Sequence, residues 1–149
     1  METIKFSIVI NANKQKVWDT MLADKTYREW TTAFHEGSYY EGSWDKGSEI
    51  RFLGPDKDGK MQGMFSRIKE NIKYQFISIE HLGMVSDGIV DTTSEEAKKW
   101  TPSLENYTFT EIDNQTEVKV EMQIAAEYVT MFDEMWPKAL KVLKKICEE

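Results

Sequence analysis

The sequence predicts an α+β domain: a curved antiparallel sheet of about seven strands, two short helices after the first strand, and one long carboxy-terminal helix. Three observations carry this. Apolar residues alternate over residues 3–11 and 116–125, turn-forming clusters punctuate the stretch between them, and residues 128–147 carry an apolar stripe at helical spacing. A chain of 149 residues is expected to form a single domain, 1–149.

In the opening segment Ile4, Phe6, Ile8 and Ile10 share one face and Lys5 and Ser7 lie opposite, the alternation of a half-buried strand. The period then lengthens. Over residues 14–22, Val17 and Met21, and Trp18 and Leu22, stand four apart, as on one helix face. Asp24 suits an N-cap, and Tyr27, Trp30, Thr31 and Phe34 continue the helical spacing. Residues 37–44 and 48–53 flank the hairpin signal Asp45-Lys46-Gly47, and residues 54–59 form a second turn cluster. Strands follow at 61–72 and 74–82. The inward side of the second is left open, because Tyr74/Phe76 and Ile77/Ile79 are apolar pairs of opposite parity.

Residues 83–103 make a connection of the length that lids and binding loops have, with a helical turn at 95–100 behind a capping box of Thr93 and Glu96. Residues 105–112 and 116–125 flank Asp113-Asn114-Gln115, and in the latter Val118, Val120, Met122 and Ile124 alternate with Glu117, Lys119, Glu121 and Gln123. On the closing helix Met131, Phe132, Met135, Trp136, Ala139, Leu140 and Leu143 form the stripe. Pro137 is expected to kink that helix or delay its regular start.

Composition excludes several classes. The 26 acidic residues outnumber 19 basic ones, a net charge of −7 that repels phosphate backbones, so no nucleic-acid partner is expected. The single cysteine, Cys147, can form neither a disulfide framework nor a cysteine zinc site. The opening METIKFSIVINANKQK lacks the pattern of a signal peptide, and no stretch approaches the ~18 apolar residues of a membrane span. A cytoplasmic protein without a membrane partner is the expectation.

With these elements in order, the chain resembles the START-like (SRPBCC) superfamily, whose helix-grip, Bet-v-like fold wraps a curved sheet round the last helix. The resemblance is greater to the bacterial group named after the C-terminal domain of the activator of the Hsp90 ATPase. Val17-Trp18, Tyr27-Arg28-Glu29-Trp30, Trp44-Asp45-Lys46-Gly47-Ser48, Glu105-Asn106-Tyr107-Thr108-Phe109 and the closing Phe132, Trp136-Pro137, Leu140 and Leu143 carry it. It covers essentially the whole chain and implies fold rather than function, since the superfamily hosts lipid carriers, receptors, cyclases and co-chaperone domains. In the chaperone activator this domain follows a separate chaperone-binding domain. The present chain opens directly on its first strand, so that activity is not expected to transfer.

Five Trp, six Tyr, seven Phe and eight Met are available. Most belong to the core, but a subset suits a cavity between sheet and helix: Trp30 and Phe34 on the second helix, Phe132, Met135 and Trp136 on the last, Trp100 on the long connection, and Phe52, Phe76 and Tyr107 on strands. His81, Asn106 and Tyr107 are candidates for fixing a ligand's polar end. His81 shares a face with Gln75, Ile77 and Ile79 at the expected cavity mouth. His35 and His81 show no metal-ligand spacing, and no glycine-rich cradle is present, so neither metal nor cofactor is expected. Glu95-Glu96 and Asp56/Asp58 read as solvated charges, and Ser66, Ser78 and Ser86 lack a nucleophile-elbow context.

The preferred reading is non-covalent binding of a small hydrophobic or lipid-like molecule between sheet and helix, gated by residues 83–103 with Trp100 and opened at one end by a kink at Pro137. Two alternatives remain. One is a protein-interaction domain with a chaperone or a second copy as partner. The other is a cyclase- or hydrolase-like enzyme with His81 as general base, which is disfavoured because no carboxylate is identified to orient the imidazole. No catalytic residue is assigned.

Overall fold

The computed structural model describes residues 1–149. Along the chain run β1 (Glu2–Ile10), α1 (Lys14–Leu22), α2 (Asp24–Trp30), β2 (Tyr39–Gly42), β3 (Glu49–Pro55), β4 (Met61–Ile72), β5 (Phe76–Ser86) and β6 (Ile89–Asp91). Then come α3 (Glu95–Trp100), β7 (Ser103–Ile112), β8 (Gln115–Ile124) and α4 (Val129–Glu148). One antiparallel sheet has the order β1-β8-β7-β5-β4-β3-β2, and β6 is a short addition to β5 outside that path. This is the expected α+β architecture: a seven-strand path, two short helices after β1, and a long closing helix.

Register explains the central pairing. Ile4 faces Met122, Phe6 faces Val120 and Ile8 faces Val118, so two apolar rows meet on the inner side of β1 and β8. The alternate positions pair Lys5 with Glu121 and Ser7 with Lys119 on the outer side. At 1.5 Å per residue the 20-residue α4 spans about 30 Å and crosses the inner face. Ala139, Leu140, Leu143 and Cys147 of α4 join Val17, Trp18, Met21 and the inward residues of the sheet in one core.

Inward parity on β5 belongs to Ile77 and Ile79, both fully buried in that core. Two register shifts interrupt the β4–β5 pairing. At the first, Phe65 faces Gly83 but Ser66 faces His81, leaving Leu82 as an extra residue on β5. Bulges of this kind bend a strand and re-aim its side chains; here the bulge sets His81 opposite Ser66.

The connection at 83–103 is more regular than expected. β5 continues to Ser86, turns through Asp87 and Gly88, both at positive φ, and returns as β6. Asp-Gly is a hairpin signal, because those two residues reach positive φ at least cost. The cap of α3 is Ser94, whose hydroxyl accepts from the Ala97 N–H at 3.1 Å, rather than Thr93. Pro137 neither interrupts nor delays α4, which is assigned continuously from Val129. The proline stands on the exposed side, where the missing N–H leaves only a carbonyl to be satisfied by water. No helix is long and apolar enough to cross a membrane.

Candidate functional site

Between the inner face of the sheet, α2 and α4 the protein keeps a cavity of about 240 Å³. Eleven of its 17 lining residues are hydrophobic. The aromatic wall is interlocked: the Phe34 ring meets Trp136 edge-on with centroids 4.8 Å apart, and Trp30 and Tyr107 each lie 6.0 Å from Trp136. Both indole N–H groups are anchored, Trp30 donating to the Met21 carbonyl at 3.0 Å and Trp136 to the Met122 sulfur at 3.0 Å. Rings held at both face and edge have little freedom to collapse into the space.

One end of the cavity is polar. His81 on β5 and Glu105 on β7 are diagonal neighbours across a strand pair in which His81 faces Ser103 and Ile79 faces Glu105. The imidazole Nε2 lies 3.1 Å from Glu105 Oε1, and the other carboxylate oxygen accepts from the Tyr107 hydroxyl. Behind the imidazole, Ser66 Oγ is 2.7 Å from Nδ1. Ser66 is completely buried and does not border the cavity. Burial, and after it the charge of Glu105, pushes the Tyr27 phenol far above its usual range, and the same two causes raise Tyr107. Both phenols therefore stay protonated at any ordinary pH.

A second, more open cavity of about 400 Å³ adjoins the first, sharing Tyr27, Ser38, Phe52, Met64 and Trp100. Those shared residues form the mouth. Trp100, the last residue of α3, stacks on Tyr128 with centroids 4.1 Å apart, so the helix after the β5–β6 hairpin makes one lip. His35 forms part of the outer cavity, its Nε2 against the Pro55 carbonyl.

Of the residues singled out from sequence, Trp30, Phe34, Phe52, His81, Trp100, Tyr107, Phe132 and Trp136 border the inner cavity. Three do not. Phe76 and Asn106 lie on the outer side of the sheet, bordering a separate surface depression with Lys5, Thr108 and Lys119. Strand alternation is the reason: Asn106 and Tyr107 are adjacent and must face opposite ways, and Phe76 is out of phase with the inward Ile77. Met135 stands half-buried on α4 outside the cavity wall that its neighbours Phe132 and Trp136 help to form. The orienting carboxylate that sequence reading did not find is Glu105, which shares parity with Tyr107. Tyr27, Thr31, Ser38, Met64, Ser103, Met122, Gln123 and Ile124 complete the lining.

The sequence matches no protein-family model and no curated protein. Solved structures share its fold. A protein of Colwellia psychrerythraea, described as an Aha1 dimer in solution, is 18 % identical, with 99 % of this chain and 97 % of that one covered at a TM-score of 0.72. A solution structure from Cytophaga hutchinsonii is 17 % identical, covering 99 % and 94 % at 0.72. A crystal structure from Chromobacterium violaceum is 16 % identical, covering 99 % and 97 % at 0.71. Such likeness establishes the helix-grip fold expected from the sequence, and the structural neighbours include the activator homologue that the resemblance pointed to.

Proposed function

We propose that the protein binds a small, compact hydrophobic molecule in the cavity between sheet and α4, with His81, Glu105 and Tyr107 fixing its polar end. The cavity is the observation that carries this reading. About 240 Å³ stays unfilled between sheet and helix, walled mostly by aromatic and other apolar side chains, the lining that small-molecule sites have. Ordinary small-molecule pockets occupy about 300–1,000 Å³, so this volume favours a ligand of one or two rings over a long acyl chain. Burial of the ligand's apolar body would supply about 0.8 kcal/mol per CH₂. The fold shared with the solved neighbours is consistent with such a role.

Native mass spectrometry on protein purified gently from its native host tests the proposal, with Met64→Trp at the cavity mouth as the blocked variant. A small-molecule adduct that is lost on denaturation and absent from the variant is expected. A bare mass, together with no thermal shift from any one- or two-ring hydrophobic probe, would overturn it.

One observation favours a second reading, acid–base catalysis on the bound molecule: a histidine and a carboxylate in direct contact both border the cavity. Ser66 cannot act as a nucleophile there, being sealed behind the imidazole. A docking surface has less support. The exposed large hydrophobic residues are Met1 just before β1 and one each on β1, β4, β6, β7 and α4, so no strand or helix offers an apolar stripe.

A further inference from the structure

We infer that the cavity selects an organic cation, a protonated amine or quaternary ammonium on an apolar body of about one ring, over carboxylic acids and other anions. This rests on the binding reading above and adds the charge of the ligand.

Eight aromatic residues line the cavity, Trp30, Phe34, Phe52 and Trp136 among them. The face of an aromatic ring carries negative charge density and attracts a cation, the more so where water is excluded. Glu105 is the one acidic residue in the lining, and no lysine or arginine lines either this cavity or the adjoining one. Nothing positive is therefore placed to receive an anion.

His81 is tied through both ring nitrogens, to Ser66 on one side and Glu105 on the other. The Ser66 hydroxyl is completely buried, and its one hydrogen-bond partner is His81 Nδ1. A buried hydroxyl proton must have an acceptor, so Ser66 donates and Nδ1 accepts. That arrangement leaves a ring hydrogen on Nε2, directed at Glu105. Glu105 is the one carboxylate of this corner, set inside an aromatic shell with no lysine or arginine beside it. A carboxylate removed from water without a counter-charge is costly, and a bound cation offsets that cost, whereas an anion adds to it.

A matched set of probes reads the charge directly: benzyltrimethylammonium, its uncharged carbon isostere (2,2-dimethylpropyl)benzene, and phenylmethanesulfonate. Each is titrated against the intact protein by tryptophan fluorescence and thermal shift. The cation should bind at least about tenfold tighter than the sulfonate. Glu105→Gln should abolish that preference, lowering the cation's affinity at least about tenfold more than that of the uncharged isostere. Should that variant fail to fold, Phe34→Leu serves instead, and it should weaken the cation more than the isostere.

A sulfonate that binds as tightly as the cation, or a cation indifferent to both variants, overturns the inference. Binding of the isostere without the cation removes the charge assignment alone. Failure of all three to bind overturns this inference, and together with a bare mass in the native spectrum it overturns the cavity-binding reading as well.

Discussion

Ser66 on β4 and His81 on β5 face each other across a bulge, with the serine hydroxyl 2.7 Å from the imidazole Nδ1. The contact fixes the ring and its tautomer from behind, leaving Nε2 for Glu105 at the cavity. Ser66 is thus a positioning residue for the polar corner.

Ser66→Ala removes the only donor to a buried ring nitrogen. Leaving such an acceptor unpaired costs about 1–3 kcal/mol, and urea unfolding should show a loss in that range. In ¹⁵N NMR the wild-type His81 should report the Nε2–H tautomer at neutral pH, and the variant should report a mixture. An unchanged tautomer and unchanged stability would show that the serine does not position the ring.

Gly63→Ala should damage the wall that carries Phe52 and Met64. Gly63 sits at φ +157 on β4 opposite Leu53, and a Cβ there would come 1.8 Å from the Phe52 carbonyl oxygen. Backbone on both sides leaves no flexible side chain to yield, so β3 and β4 would have to separate. The expected loss is at the upper end of the ~1–3 kcal/mol of ordinary overpacking or beyond it. Circular dichroism melting measures it; a melting temperature equal to wild type would mean that the strands part easily.

How much of this was legible in the sequence depends on whether a feature is local. The alternation in β8 and the helical stripe of α4 are local and read directly from the sequence. The parity of β5 was not legible, because Phe76 and Ile77 are both apolar and only the core decides which faces inward. Glu105 was missed for a different reason. Its contact with His81 joins residues 24 apart and depends on the β5–β7 register. By contrast, Asp87-Gly88 was a local hairpin signal inside the stretch read as one long loop. Asn106 and Tyr107 are adjacent on β7, and strand alternation admits only one of them to the cavity.

Trp136 and Trp100 border the same cavity but should behave differently on truncation. Trp136 is 2 % exposed and touches rings from β1, α2 and β7, so Trp136→Ala should cost about 3–5 kcal/mol in urea unfolding. Trp100 is partly exposed at the lip and stacks on Tyr128 alone among the aromatic rings. Trp100→Ala should cost less than half as much while speeding release of a bound probe, measured by stopped-flow fluorescence. Equal stability losses in the two variants would contradict the assignment of one ring to the wall and the other to the lip.

Acid should loosen that lip before it unfolds the domain. Asp91, at the end of β6, is held below its ordinary value of 3.8, first by the Ser94 hydroxyl and then by the backbone N–H groups of Ser94 and Thr93. Ser94 in turn caps α3, which ends in Trp100. A carboxylate whose folded value is depressed contributes its stabilisation above the unfolded value and loses it as pH falls through the folded one. The local structure should therefore be intact at pH 5 and released below about 3.8, the window set by the direction of the shift. Amide chemical shifts of Ser94 and Ala97, followed from pH 7 downward, should show a step with a midpoint below 3.8, and Asp91→Asn should abolish that step. A midpoint at or above 3.8 would mean that the carboxylate does not hold the start of α3, and that the lip near Trp100 is set by the Tyr128 stack alone.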